Sequence, residues 1–130
     1  MNKKVLVVDD DPDVRLINTS IVEENGYTPL EASDGEEGLK MVKKERPDLI
    51  LLDVLMPKQS GLRLYRVLMT DKSFKKIPVV ILSGIAKKTF LRSQKALTEF
   101  GGASVPEPEI YLEKPVETED LADTIKKILG

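Results

Sequence analysis

Five short apolar runs alternate with five stretches of helical spacing, and no other feature of the chain restricts its fold so tightly. Val5-Leu6-Val7-Val8, Leu49-Ile50-Leu51-Leu52 and Val79-Val80-Ile81-Leu82 are apolar at every position. A strand with one wet face alternates in polarity, so runs apolar at both parities belong to strands covered on both sides. After the first run, Pro12 suits the opening turn of a helix, and Val14, Ile17 and Ile21 follow at helical spacing up to Gly26. Tyr27 to Ala32 reads as a weaker second strand, and Pro29 within it places it at an edge. Ser33 or Asp34 caps the next helix, since either has a Glu three residues on; Leu39 and Val42 supply its apolar face, and it ends before Pro47.

The third strand is Asp48 to Asp53, followed by a helix from about Ser60 to Thr70 with Leu64 and Leu68 inward. Pro78 to Leu82 is the fourth strand. A helix from Lys87 to Phe100 follows, with Phe90, Leu97 and Phe100 as its buried stripe. Ile110-Tyr111-Leu112 is a short fifth strand, and Thr118 caps a last helix that carries Leu121, Ile125, Ile128 and Leu129. Strands of this kind alternating with helices specify an α/β fold, a doubly wound (βα)₅ parallel sheet sandwiched between helices. A length of 130 residues fits one domain. No apolar run approaches the roughly 18 residues of a membrane span, and Asp9-Asp10-Asp11 cuts the first one off before it can serve as a signal peptide. A cytoplasmic location is the expectation.

Composition removes several chemistries. The chain has no Cys and no His, which excludes disulfides, thiol nucleophiles, zinc-thiolate sites and His-based triads. Carboxylates, lysine and hydroxyls must carry whatever reaction occurs. A net charge of −2 leaves no basic footprint for nucleic acid, and no Trp with only three Tyr and three Phe leaves few stacking platforms for single strands.

Parallel α/β sheets bind ligands beyond the carboxyl ends of their strands, where the strand order reverses. The residues at those ends are Asp9-Asp10, Asp53, Ser83 and Lys114. Strand ends need polar punctuation in any protein, but three carboxylates brought to one rim repel one another unless a cation joins them. An all-oxygen donor set points to Mg²⁺ or a similar hard ion. Such a site accepts phosphate: Lys114 supplies positive charge, the Ser83 hydroxyl donates a hydrogen bond, and an Asp carboxylate can itself attack phosphorus. Asp53, alone at its strand end, is the nucleophile candidate, while Asp9 and Asp10 read as the metal pair. Asp11 precedes Pro12 and reads as the cap of the first helix, although an Asp10-Asp11 metal pair is the alternative register.

Val7-Val8-Asp9-Asp10, Leu51-Leu52-Asp53, Met56-Pro57 with Gly61 four residues on, Leu82-Ser83-Gly84 and Tyr111-Leu112-Glu113-Lys114-Pro115 together resemble the receiver domain of two-component response regulators, over about Lys3 to Leu129. The resemblance implies a flavodoxin-like strand order of 2-1-3-4-5 and a single receiver domain over residues 1–130, with no output domain in the chain. It implies that Asp53 accepts a phosphoryl group from the phosphohistidine of a sensor histidine kinase or a histidine phosphotransfer protein, with Mg²⁺. Asp10, Asp53 and the Leu55 backbone carbonyl would hold the ion directly, and Asp9 largely through water. Lys114 would pair with the phosphorylated aspartate, Ser83 would turn toward the phosphoryl group, and Tyr111 would move between exposed and buried rotamers. The output face would comprise the fourth helix, fifth strand and fifth helix, serving a downstream protein target and, on phosphorylation, compatible with a homodimer. Direct contact with nucleic acid or membrane is not implied. The chain would be a phosphoacceptor with self-phosphorylation and slow autodephosphorylation only, and Lys114–Pro115 is a candidate cis peptide.

Two departures stand out. Ser60 precedes Gly61 where the family usually has Asp, and Gly101 to Glu109 is longer than that connection normally is. The long segment reads either as a partner-specific loop or as an insertion tolerated at little entropic cost. Two other functions share the residues: an aspartate-nucleophile phosphatase, which also carries an Asp-x-Asp as in Asp9-Asp10-Asp11, and a binding module of the same fold that does not signal through phosphate.

Overall fold

The computed structural model of the chain describes residues 2–54, 56, 60–99, 106–108 and 110–130, with side chains in the fourth helix described as far as residue 96. Strands β1 (Lys4–Val8), β2 (Thr28–Ala32), β3 (Leu49–Leu52), β4 (Val79–Ser83) and β5 (Ile110–Glu113) alternate with helices α1 (Pro12–Glu24), α2 (Gly35–Glu45), α3 (Ser60–Thr70), α4 (Lys87–Glu99) and α5 (Thr118–Leu129). The strands form one parallel sheet in the order β2-β1-β3-β4-β5. This is the doubly wound, flavodoxin-like arrangement expected from the sequence.

Alternation along each strand divides the core into two layers. Leu6, Val8, Ile50, Leu52, Val79 and Ile81 pack with Val42, Leu64, Tyr65, Leu68 and Phe90 of α2, α3 and α4. Their neighbours Val5, Val7, Leu49, Leu51, Val80 and Leu82 pack with Ile21 and Val22 of α1 and Leu121, Ile125 and Leu129 of α5. Each such side chain contributes about 1.5–3 kcal/mol by leaving water, which is why the runs are apolar at every position. The Pro29 strand, β2, lies at a sheet edge, where its missing N–H costs no ladder bond.

The helices settle one open point and correct two expectations. Asp34, not Ser33, caps α2: its Oδ1 accepts the Glu37 N–H at 2.8 Å, and the Glu37 carboxylate accepts the Ser33 N–H and hydroxyl. Thr118 does not cap α5. The Glu117 carbonyl accepts the first helical bond, from Leu121 N–H, so Thr118 is already inside the helix and Glu117 occupies the cap position without a side-chain bond. Ile17 is exposed, not core-facing. The buried stripe of α1 runs through Asn18, Ile21 and Val22 and includes Thr19, whose hydroxyl donates to the Leu16 carbonyl at 3.0 Å. Polar residues, Thr19 among them with its hydroxyl bonded inside the helix, take inward positions that apolar spacing assigns to Ile17. Leu97 and Phe100, expected in the stripe of α4, lie outside the described side chains.

Candidate functional site: an acidic rim bridged by a lysine

The chain runs β1 to β2 toward one sheet edge and then returns to β3 on the other side of β1. The crevice therefore opens beyond the carboxyl ends of β1 and β3. Asp9 and Asp53 are the first residues past those ends, 1% and 5% exposed. The Asp9 N–H donates to the Ala32 carbonyl at 3.1 Å and the Asp53 N–H to the Val8 carbonyl at 3.0 Å, so both backbones continue the sheet ladder. Carboxylate oxygens of Asp9, Asp10 and Asp53 lie within 4.8 Å of one another. Asp10 is exposed.

Lys114 reaches across the rim from the end of β5. Its Nζ is 3.2 Å from Asp9 Oδ2 and 3.4 Å from Asp53 Oδ2, donating to both. Burial works against the ammonium's charge, but the carboxylates of Asp53 and Asp9 and the hydrogen bonds they accept outweigh it and hold the Lys114 pKa above its ordinary value. The Lys114–Pro115 peptide is cis, as expected.

Ser83, the last residue of β4, is fully buried and accepts the Ile85 N–H at 3.2 Å. Tyr111 on edge strand β5 donates its hydroxyl to the Ile85 carbonyl at 2.7 Å, and its ring lies 5.5 Å from that of Phe90 in α4. Burial pushes the Tyr111 pKa up, with the neighbouring Ser83 hydroxyl pulling the other way and Glu113 and Asp53 adding to the rise. The two expected switch residues thus both bond the backbone of one residue, Ile85, which nothing in the sequence singled out.

Asp11 caps α1 through bonds to the Asp13 and Val14 N–H groups at 2.9 and 3.3 Å. That leaves Asp9-Asp10 as the acidic pair of the rim. Leu55, expected to offer its carbonyl, lies outside the described residues, as does most of 101–109. Ser60 accepts the Gly35 N–H at 3.2 Å, tying the start of α3 to the start of α2. Sequence reasoning missed Arg15, whose guanidinium donates to the Asp9 carbonyl at 2.7 Å. A lone arginine on an amphipathic helix is ordinarily a solvated one.

All donors at the rim are oxygens, three are carboxylates, and one lysine answers two of them. That set fits a hard divalent cation, and Mg²⁺ in particular, which takes a few carboxylates and keeps several waters.

A parallel α/β domain with an acidic, lysine-bridged rim at its switch point defines a structural class, and comparison with known proteins narrows it. The model of the response regulator receiver domain family matches residues 5–126. The chain belongs to that family, the receiver domains of two-component signalling. It is 32% identical over 127 residues to Protein PilH of Pseudomonas aeruginosa, covering 98% of each chain. It is 32% identical over 133 residues to sporulation initiation phosphotransferase F of Bacillus subtilis, covering 99% of this chain and 95% of the other. The chemotaxis response regulator CheY4 of Vibrio cholerae superposes with a TM-score of 0.79 at 27% identity, covering 98% of this chain and 99% of that one. Receiver domains partner with histidine kinases or phosphotransfer proteins and with downstream targets, and typically bind Mg²⁺ at an acidic pocket. Among the described residues, no helix is long and apolar enough to cross a membrane.

Proposed function

We propose that this chain is a phosphoacceptor switch in which Asp53 takes a phosphoryl group from a partner's phosphohistidine. The observation that carries the reading is Lys114 bridging Asp9 and Asp53 within a cluster that also holds Asp10. An Asp53 carboxylate oxygen attacks phosphorus, a P–O bond forms, and the P–N bond to the donor imidazole breaks. The leaving nitrogen keeps the electron pair. Lys114 offsets charge on the acyl phosphate. Asp10 and Asp53 would hold Mg²⁺ directly and Asp9 through water, and the ion, when bound, neutralises charge on the transferring phosphoryl oxygens.

The signal would leave through Ile85. Drawn to the phosphoryl group, the Ser83 hydroxyl releases the Ile85 N–H, and Tyr111, bonded to the Ile85 carbonyl and packed on Phe90, moves with it. That couples a local charge event to the face of α4, β5 and α5, where a downstream protein or a second copy would dock. On the donor side, Val14, Ile17, Asn18, Leu82, Lys114, Pro115 and Val116 line a groove of about 490 Å³. Lys114 belongs to both groove and rim, so a kinase or phosphotransfer helix seated on exposed Ile17 carries its phosphohistidine toward Asp53.

The chain is a substrate of phosphoryl transfer and not a phosphatase. An Asp-x-Asp phosphatase needs its second acid for proton transfer, and here Asp11 commits its carboxylate to capping α1. Intact mass after incubation with Mg²⁺ and acetyl phosphate tests this. One phosphoryl adduct that disappears in Asp53→Asn and without Mg²⁺ is the expected result. An adduct surviving in Asp53→Asn, or multiple turnover of a generic phosphate monoester, overturns it.

A further inference from the structure

Asp9 is held at every polar atom. Its N–H is taken by Ala32, its Oδ1 by the Asp11 N–H at 3.0 Å, its Oδ2 by Lys114, and its carbonyl by Arg15 Nη1 at 2.7 Å. Asp10 is the opposite case. Among the described residues nothing hydrogen-bonds its exposed carboxylate, so no partner holds the side chain and its backbone sets where it starts toward the cluster. The peptide that sets that backbone is Asp9–Asp10, and the oxygen of that peptide is the one Arg15 grips.

Arg15 is itself fixed. It sits on the first turns of α1, its N–H bonded to the Asp11 carbonyl, and its Nε pairs with Glu31 of β2 at 3.2 Å. Its side chain is 19% exposed. The guanidinium thus spans two elements with its geometry set at both ends, as its planar fork of donors allows. Glu31 also offsets its charge, so the arginine adds a directed hydrogen bond beside the acidic rim with little net positive charge to repel an incoming ion.

We infer that Arg15 is a positioning residue for the cation site: by clamping the Asp9 carbonyl it orients the Asp9–Asp10 peptide and so aims the Asp10 carboxylate at the ion. The inference rests on the acidic rim being a Mg²⁺ site, as proposed above. Groups that orient ligands from behind commonly account for 10–100-fold in metal affinity.

Calorimetric titration of Mg²⁺ into the wild type, Arg15→Gln, Arg15→Lys and Glu31→Gln tests it, with acetyl phosphate kinetics across Mg²⁺ concentrations alongside. Arg15→Gln is expected to weaken Mg²⁺ about tenfold. The Mg²⁺ concentration for half-maximal phosphorylation should rise by the same factor, while the rate at saturating Mg²⁺ falls far less. Arg15→Lys, which keeps a donor, should recover part of the affinity, and it serves as the deciding variant if Arg15→Gln does not fold by circular dichroism. If Arg15 acted only as a charge, Arg15→Gln would tighten Mg²⁺ and Glu31→Gln would weaken it; that result overturns the inference, as does unchanged affinity in Arg15→Gln. A wild type that binds no Mg²⁺ would instead overturn the site reading on which the inference stands.

Discussion

Gly61→Ala should damage both stability and the site, although alanine is the better helix former. Gly61 is the second residue of α3 and is buried. A Cβ built there would lie 2.5 Å from the Asp53 carbonyl oxygen, 2.6 Å from Val54 Cα and 3.0 Å from the Val54 carbonyl carbon. Heavy atoms pack best at about 3.5–4.0 Å, so the start of α3 or the Asp53–Val54 segment must move by roughly 1 Å. Every clashing atom is backbone, and no side chain can rotate away. An exposed helix would gain about 1 kcal/mol from the exchange, whereas overpacking of a closed contact costs about 1–3 kcal/mol. A backbone clash takes the upper end of that range, for a net loss of about 1–2 kcal/mol. Gly84→Ala is the control, because a Cβ there meets nothing within 4 Å, and it should stay within about 0.5 kcal/mol of wild type. Urea denaturation gives the stabilities and Mg²⁺ titration reports the displacement of Asp53. A Gly61→Ala protein as stable as Gly84→Ala, with wild-type Mg²⁺ affinity, would refute the reasoning.

Tyr65 offers a clean titration because the chain has three Tyr and no Trp. Burial, with Glu107 adding to it, pushes its pKa up to about 12, so near-ultraviolet absorbance should show one phenol ionising last, and Tyr65→Phe should remove that phase. A phenol whose folded pKa is raised stabilises fully below its unfolded pKa of 10.0; that stability, on the order of 2–3 kcal/mol, is lost between pH 10 and 12. Phe90→Ala deletes a fully buried ring that meets Tyr65 edge-on at 5.3 Å; a loss of about 3–5 kcal/mol by urea denaturation is expected. Lys114→Met removes the counter-ion of two carboxylates, so Mg²⁺ should stabilise this variant more than wild type, with an affinity gain of about tenfold worth about 1.4 kcal/mol at saturation. Equal thermal shifts in the two proteins would contradict that rivalry.

The sheet was legible because both faces of each inner strand are buried, and that burial writes itself as unbroken apolar runs such as Leu49 to Leu52. The rim was legible for a related reason. Asp9, Asp53 and Ser83 are polar yet buried at the ends of apolar strands, so they stand out against the run before them, and Lys114 follows a short strand in the same way. Helix faces were less readable. Asn18 and Thr19 are buried in α1 while Leu16 and Ile17 are exposed, and the Thr19 hydroxyl meets its hydrogen-bonding need on the Leu16 carbonyl of its own helix, which residue polarity alone does not show. Ile85 and Arg15 were invisible for a deeper reason: they act through backbone atoms or upon them, and any residue type presents the same peptide.

That difference bears on how the site works. Side chains of Asp9, Asp53 and Lys114 supply the charge, and charge is what a residue letter records. Precision comes from the peptide units between them, with the Asp9 carbonyl on Arg15, the Asp53 carbonyl closed in by Gly61, and Ile85 held between Ser83 and Tyr111. A substitution at a carboxylate should therefore abolish phosphoryl acceptance outright. One at Arg15, Gly61 or Tyr111 should leave the chemistry in place and shift its Mg²⁺ dependence or its coupling to the α4–β5–α5 face. A phosphorylated protein in which Tyr111→Phe changes neither that face nor the lifetime of the adduct would show that the Ile85 junction is packing alone.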